Sequence, residues 1–264
     1  MLTKLLKYDL KWVYKLLIIF YILALVFSII SRALTLIENS FIFDILSKVA
    51  MGITISMCVS ILINNFTRML VGFIRNFYKD ESYLTHTLPI PKKTIFLSKF
   101  LTAIITLFTS VVVILGCLAI CYYSPENLQA LRGALEIAAT AYNSSILGIV
   151  LAFSGLIFLQ LLFILLVSFA GIIYGNTAKN GKIIASFIYG LVFYFISQIL
   201  SILLIFVFAL FNKEIMNLLF TTTNIISIET VKTIVLFTMA IYLGYVSFYY
   251  AFGKKKFEQG VNVD

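Results

Sequence analysis

The side chains that could do chemistry are few and poorly placed for it. Three cysteines and one histidine occur in 264 residues. Cys117 and Cys121 stand one helical turn apart, a spacing that could begin a metal site, but no histidine or carboxylate lies nearby to complete the four-ligand set that zinc takes. These two and Cys58 all fall inside apolar runs, where free cysteine packs as a small hydrophobe. They lack the exposed, oxidising setting of a disulfide framework. His86 stands alone in the polar stretch FYKDESYLTHTLPIPKKTIFLSKF, Phe77 to Phe100, whereas an intramembrane metalloprotease wants clustered His and Glu on facing helices. The one approximation to a nucleotide motif is GNTAKNGKI, Gly175 to Ile183. A phosphate-binding loop takes four residues between its glycines and Ser or Thr after the lysine; here five intervene and Ile183 follows Lys182. Any ATP this protein uses is therefore expected to be hydrolysed by another chain. No catalytic residue, metal or cofactor is expected in this one.

The acids are equally uninformative about catalysis. Asp9, Glu38, Asp44, Asp80, Glu81, Glu126, Glu136, Glu214, Glu229, Glu258 and Asp264 all sit in loops, tails or at the edges of apolar runs. Proton-coupled carriers, voltage sensors and intramembrane hydrolases place ionisable groups at depth. An enzyme reading is accordingly weak.

The elements that carry these residues are membrane spans. The chain is 62% hydrophobic and 12% charged, against about 45–50% and 25% for an ordinary soluble domain. Uncharged stretches long enough to cross a bilayer predict an all-α, polytopic membrane protein with six spans. They run over about Trp12–Ser31, Val49–Ile74, Phe100–Tyr123, Ile146–Tyr174, Ile183–Phe211 and Thr233–Phe252. An even number places both termini on one side, together with Phe77–Lys99 and Gly175–Lys182. Of the 20 Lys and Arg, only Arg32, Lys48, Arg132, Lys213 and Lys232 fall on the opposite side. The positive-inside bias makes the termini cytoplasmic. The net charge of +9 points to anionic lipid and not to nucleic acid, since six spans leave no nucleic-acid groove. A secretory signal peptide is the rival for the first span, but no small-residue cleavage pattern follows it.

In MLTKLLKYDLKWVYKLL, helical spacing puts Lys4, Lys7, Lys11 and Lys15 on one stripe and Leu2, Leu6, Leu10, Val13 and Leu17 opposite. This predicts a helix over residues 1–15 resting in the membrane interface, with lysines toward phosphates and leucines in the acyl boundary. Trp12 and Tyr14 suit the headgroup level. Uncharged polar residues occur at depth: Thr54, Ser56, Ser60, Asn64 and Asn65, then Gln160, then Ser197, Gln198 and Ser201. They read either as hydrogen-bonding glue between helices or as a mildly polar pathway. Ser60, Asn64, Arg68 and Gln198 are the candidate pathway residues, with Arg68 reaching the cytoplasmic headgroups by snorkelling.

Within residues 77–91, KDESYLTH can form about two helical turns, with Asp80 and Glu81 at the positive end of its dipole. LPIP then forbids continuation, and KKTIFLSKF starts the next helix. An amphipathic N-terminal helix, six spans, and a short polar helix between spans two and three followed by Leu88, Pro89 and Lys99 resemble the membrane subunits of ATP-binding cassette exporters of the second type. The resemblance covers nearly the whole chain as architecture, a single permease domain over 1–264 with a cytoplasmic tail at 253–264. It implies that the polar helix is a coupling helix docking on a nucleotide-binding subunit, with Lys79, Asp80, Glu81, Ser82, Tyr83, Leu84, Thr85 and His86 as docking residues. It further implies two permease copies, separate ATPase subunits that bind ATP and Mg, and a multi-pass location in the bacterial plasma membrane. Many members carry a re-entrant helix pair before the last span, for which Asn212–Lys232 leaves room only for a modest version, and a large extracellular domain is absent. Small permeases of this kind are similar to exporters of amphipathic antimicrobial or cytolytic peptides, including phenol-soluble modulins and lantibiotics, and that cargo is the expectation. The alternatives are lipid-like or small-molecule cargo, a non-transporting scaffold or sensor subunit, or an ATP-independent channel or secondary carrier. A secondary carrier would favour a charged or inverted-repeat core, which the sequence does not display.

Overall fold

The computed structural model describes residues 1–37, 41–79, 81–87, 89–212, 215–216 and 228–259. Among them there are helices and connecting turns but no strand. We label the helices α1 (Leu2–Thr35), α2 (Phe41–Tyr78), α3 (Ser82–Thr87), α4 (Lys92–Cys121), α5 (Pro125–Ala141), α6 (Ile146–Gly175), α7 (Lys182–Phe211) and α8 (Ile228–Glu258). Six of them, all except α3 and α5, are long and apolar enough to cross a membrane. The chain is a multi-pass membrane protein.

The helices outrun the apolar windows because backbone hydrogen bonding does not stop where lipid does. Lysine and arginine are good helix formers, and their heads snorkel to water. The first span and the lysine-bearing segment before it are consequently one uninterrupted helix, α1, with no separate interface helix over 1–15. The segment Ser124–Ser145, expected only as a polar connection, holds α5. Pro125 opens this helix, and the Ser124 hydroxyl accepts from the Asn127 amide at 3.0 Å, a capped start that satisfies an otherwise orphan donor. Most of Asn212–Lys232, including the place for a re-entrant pair, lies outside the described residues.

The chain forms two compact units, residues 1–131 and 132–262. In the first, α1, α2 and α4 pack on one another around Leu17, Ile61, Phe73 and Leu107. A polar spine crosses this interior. Asn65 is fully buried; its amide donates to Ser110 Oγ at 2.8 Å and its carbonyl accepts from Thr106 Oγ1 at 3.2 Å. The Tyr21 hydroxyl meets the same Ser110 at 2.8 Å. Buried polar groups in an apolar bundle stay satisfied this way and join helices. At one end Ser31 donates to the Ser47 carbonyl at 3.2 Å, and Arg32 lies 5.8 Å from the Tyr123 ring centroid.

In the second unit α6 packs on both α7 and α8. It is the most buried span, which suits a helix apolar on all sides. Small residues one turn apart meet across the α6–α7 contact. A Cβ placed on Gly171 would stand 2.6 Å from the Gly190 Cα, and one on Gly175 only 2.2 Å from the Ser186 backbone. This is the small-xxx-small packing by which membrane helices approach closely. The six-residue connection that follows α6 ends at Gly181, whose φ of +66° suits a residue without Cβ. Toward α8, the Tyr245 and Tyr249 hydroxyls bond to Ser197 and Ser201, and the buried Phe163 ring lies 5.3 Å from that of Tyr245.

Candidate functional site

The most concentrated ionic chemistry in the first unit lies where α2 ends and α3 begins. Arg68, Gly72 and Arg75 are spaced four and three residues apart, which puts them on one face of α2. Having no side chain, Gly72 provides the floor on which the Trp12 ring of α1 rests. A Cβ there would come within 2.7 Å of the indole. Both guanidinium groups lie 4.8 Å from the Trp12 ring centroid, within cation–π range. The Arg75 Nε is buried with no hydrogen-bond partner, and the contact of the guanidinium with the ring stands in place of one.

From Arg75 the network runs into the polar island. Arg75 Nη2 pairs with Glu81 Oε1 at 3.0 Å. Asn76, with its amide oriented to satisfy its neighbours, donates to Glu81 Oε2 at 2.7 Å and to the Gly72 carbonyl at 3.2 Å, and accepts from Lys99 Nζ at 2.6 Å. Lys99, on α4, bonds Asp9 Oδ1 at 2.5 Å, and Ser98 donates to Asp9 Oδ2 at 2.9 Å. The side chains of Lys99 and Asp9 are 8% and 15% exposed. Enclosure of both charges makes their pairing obligatory. Only about 10 Å³ of free space remains between Asp9, Trp12, Arg68 and Lys99, about the minimum for one water. Three helices and the residue preceding α3 are thus joined by one closed set of charge-assisted hydrogen bonds.

The helix in the island is shorter than the residues 79–86 expected. Lys79 sits exposed on a bend, and the Ser82 amide turns back to its carbonyl at 2.7 Å. Glu81 stays in the turn, held by Arg75 and Asn76, so α3 covers only Ser82–Thr87. Ser82 is buried, whereas Tyr83 is 74% exposed. Thr85 bonds back to the Glu81 carbonyl at 2.9 Å. Asp80 and Leu88 lie outside the described residues, as do the side chains of Leu84 and His86. Pro91 caps α4 with extended ψ, as the proline punctuation requires.

Lys4, Lys7, Lys11 and Lys15 are all exposed on one stripe of α1. The opposite stripe differs from expectation. Val13 and Leu17 are buried within the first unit and do not enter an acyl boundary, because the Asp9 and Trp12 contacts hold this part of α1 against α2 and α4. Among the candidate pathway residues, Asn64 donates to the Ser60 carbonyl of its own helix at 2.8 Å, and Arg68 is engaged with Trp12. Gln198 stands half-buried on α7 in the second unit. The residues that sequence reasoning missed are Asp9, Trp12, Gly72, Asn76 and Lys99 acting as one cluster. The Arg68-Gly72-Arg75 spacing was the available signal. Gly72→Leu is expected to displace the indole and lower thermal stability by about 1–3 kcal/mol, the usual penalty of overpacking. A red shift in the emission of Trp12, the only tryptophan, checks it.

Among the described residues no three His, Cys, Asp or Glu stand together as a metal site. Comparison of the chain with protein-family models, curated proteins and solved structures returns no match.

Proposed function

We propose that this chain is the transmembrane subunit of an ATP-driven exporter, working as a dimer with separate cytoplasmic ATPase subunits and exporting amphipathic peptides. The observation that carries the reading is α3: a short helix set between two spans, stapled at its start to α2 through Glu81 and from there to α4 through the Asn76–Lys99 bond, and presenting Tyr83 outward. A helix anchored at its start and exposing Tyr83 is suited to be pushed, and the network at its root gives the push a route to α1, α2 and α4. Energy enters through the ATPase binding one conformation of the permease better than the other. The lysine bias at the ends of the spans supports cytoplasmic termini in a bacterial plasma membrane, with the Lys4, Lys7, Lys11 and Lys15 stripe toward anionic headgroups. Half-buried uncharged polar groups such as Asn64 and Gln198 favour amphipathic cargo over ions.

The test is at Tyr83. Reversing Glu81 would break its bonds to Arg75 and Asn76 as well as any docking contact, so Tyr83→Asp is the cleaner change. With the ATP-binding cassette protein that copurifies from native membranes, Tyr83→Asp is expected to weaken association about tenfold or more, as loss of an exposed aromatic anchor does. Thermal stability of the permease stays unchanged. Undiminished association together with intact cargo-stimulated hydrolysis would refute the docking role of α3.

A further inference from the structure

Within the second unit, the turn after α5 and the first turns of α6 and α8 line a half-open cavity of about 220 Å³. Its lining is graded. Tyr142, Ser144 and Lys232 stand at one end, beside or at the start of the spans. Ile149 and Phe153 lie roughly 5–10 Å further along α6 at 1.5 Å per residue, and Leu236 lies one turn deeper on α8 than Lys232. Neither the Lys232 ammonium nor the Tyr142 hydroxyl has an ion-pair or hydrogen-bond partner among the described residues. Ser144 donates to the Tyr142 carbonyl, which leaves its oxygen able to accept.

We infer that this cavity is a binding site for an anionic phospholipid of the leaflet that meets the N-terminal ends of α6 and α8. The gradient from a cationic, hydroxyl-bearing mouth to an apolar floor follows the bilayer's own gradient from headgroup to acyl chain. The volume is smaller than the roughly 300 Å³ at which drug-sized pockets begin, and it suits part of one acyl chain entering between α6 and α8. The phosphate then meets Lys232, whose charge selects anionic over zwitterionic headgroups. The inference does not rest on the export reading; it would hold for a channel or a scaffold equally.

The test titrates the purified chain in detergent with phosphatidylglycerol or phosphatidylcholine and counts bound lipids by native mass spectrometry. Phosphatidylglycerol is expected to bind more tightly. Lys232→Gln should weaken it about fivefold, the worth of one lysine near a membrane surface, without changing phosphatidylcholine binding. Because Lys232 is exposed, this variant leaves packing untouched. Ala152→Phe, which fills the cavity, should weaken both lipids. Equal binding of the two headgroups, or no response to Lys232→Gln, would overturn the inference. Loss of phosphatidylglycerol on Lys232→Gln with no response to Ala152→Phe would place the lipid on the surface and overturn it as well.

Discussion

Lys99→Met leaves the Asp9 carboxylate enclosed without its cation and is expected to destabilise the protein by about 3–5 kcal/mol, the usual consequence of removing one partner of a buried pair. Asp9→Asn should cost less, because its amide oxygen still accepts from Lys99 while its NH2, in the place of Oδ2, can donate to the Ser98 hydroxyl. The double variant Asp9→Asn/Lys99→Met should recover most of the loss, since it leaves no unpaired charge. Thermal unfolding of the four proteins in one detergent gives the coupling between the two sites. A neutral Lys99→Met would mean that water reaches the pair, contrary to the 8% exposure of the lysine. The same change removes the hydrogen bond that Lys99 gives Asn76 and so loosens the hold on Glu81. Amide exchange at Thr85, whose N–H donates to the Glu81 carbonyl at 3.0 Å, should accelerate. A conservative Lys99→Arg change is not expected to restore the wild-type state, because a planar guanidinium does not fit where a compact ammonium meets both Asp9 and Asn76.

Gly175→Leu is expected to have an effect of comparable size in the second unit. Even a methyl group at 175 would stand 2.2 Å from the Ser186 backbone, so α6 and α7 must separate along the whole Gly171–Gly190 contact. The neighbour that would have to yield is main chain, which puts the penalty at or above the upper end of the about 1–3 kcal/mol for overpacking. Reduced yield of folded protein and a lower midpoint by circular dichroism would report it. Gly244→Ala on α8 is the control. Nothing lies within 4 Å of a Cβ there, so it should be neutral or stabilise by about 0.5–1 kcal/mol through the helix preference of alanine. Similar losses from both changes would show that α6 and α7 do not depend on close approach.

The adjacent asparagines of α2 show how far a sequence alone reaches. Asn64 and Asn65 are the same residue type at the same depth, and composition cannot rank them. On a helix they point 100° apart. Asn64 bonds its own backbone, while Asn65 is fully buried among Ser110 and Thr106 of α4. Choosing Asn64 as the functional one followed from its spacing to Arg68, and nothing in that spacing reveals which face of α2 meets α4. The α5 helix is a different case. Ser124, Pro125 and Glu126, followed by leucines at 128, 131 and 135, carry a helix start signal, in a segment too short and too polar to stand out as a span.

Hydropathy and charge, read residue by residue, determined that the chain carries six helices long and apolar enough to cross a membrane, where the apolar part of each lies, and that a proline-bounded polar island separates the second from the third. Burial in lipid depends on each segment's own side chains, so this information is local. The partners of Asp9, Trp12 and Glu81 were decided by tertiary structure alone. Asp9 and Lys99 are 90 positions apart, and Trp12 reaches Gly72 only because α1 and α2 pack antiparallel with that face inward. A carboxylate at the edge of one span and an ammonium at the edge of another look like ordinary interfacial charges until packing removes the water between them. Their enclosure is a property of three helices together, and no stretch of sequence contains it.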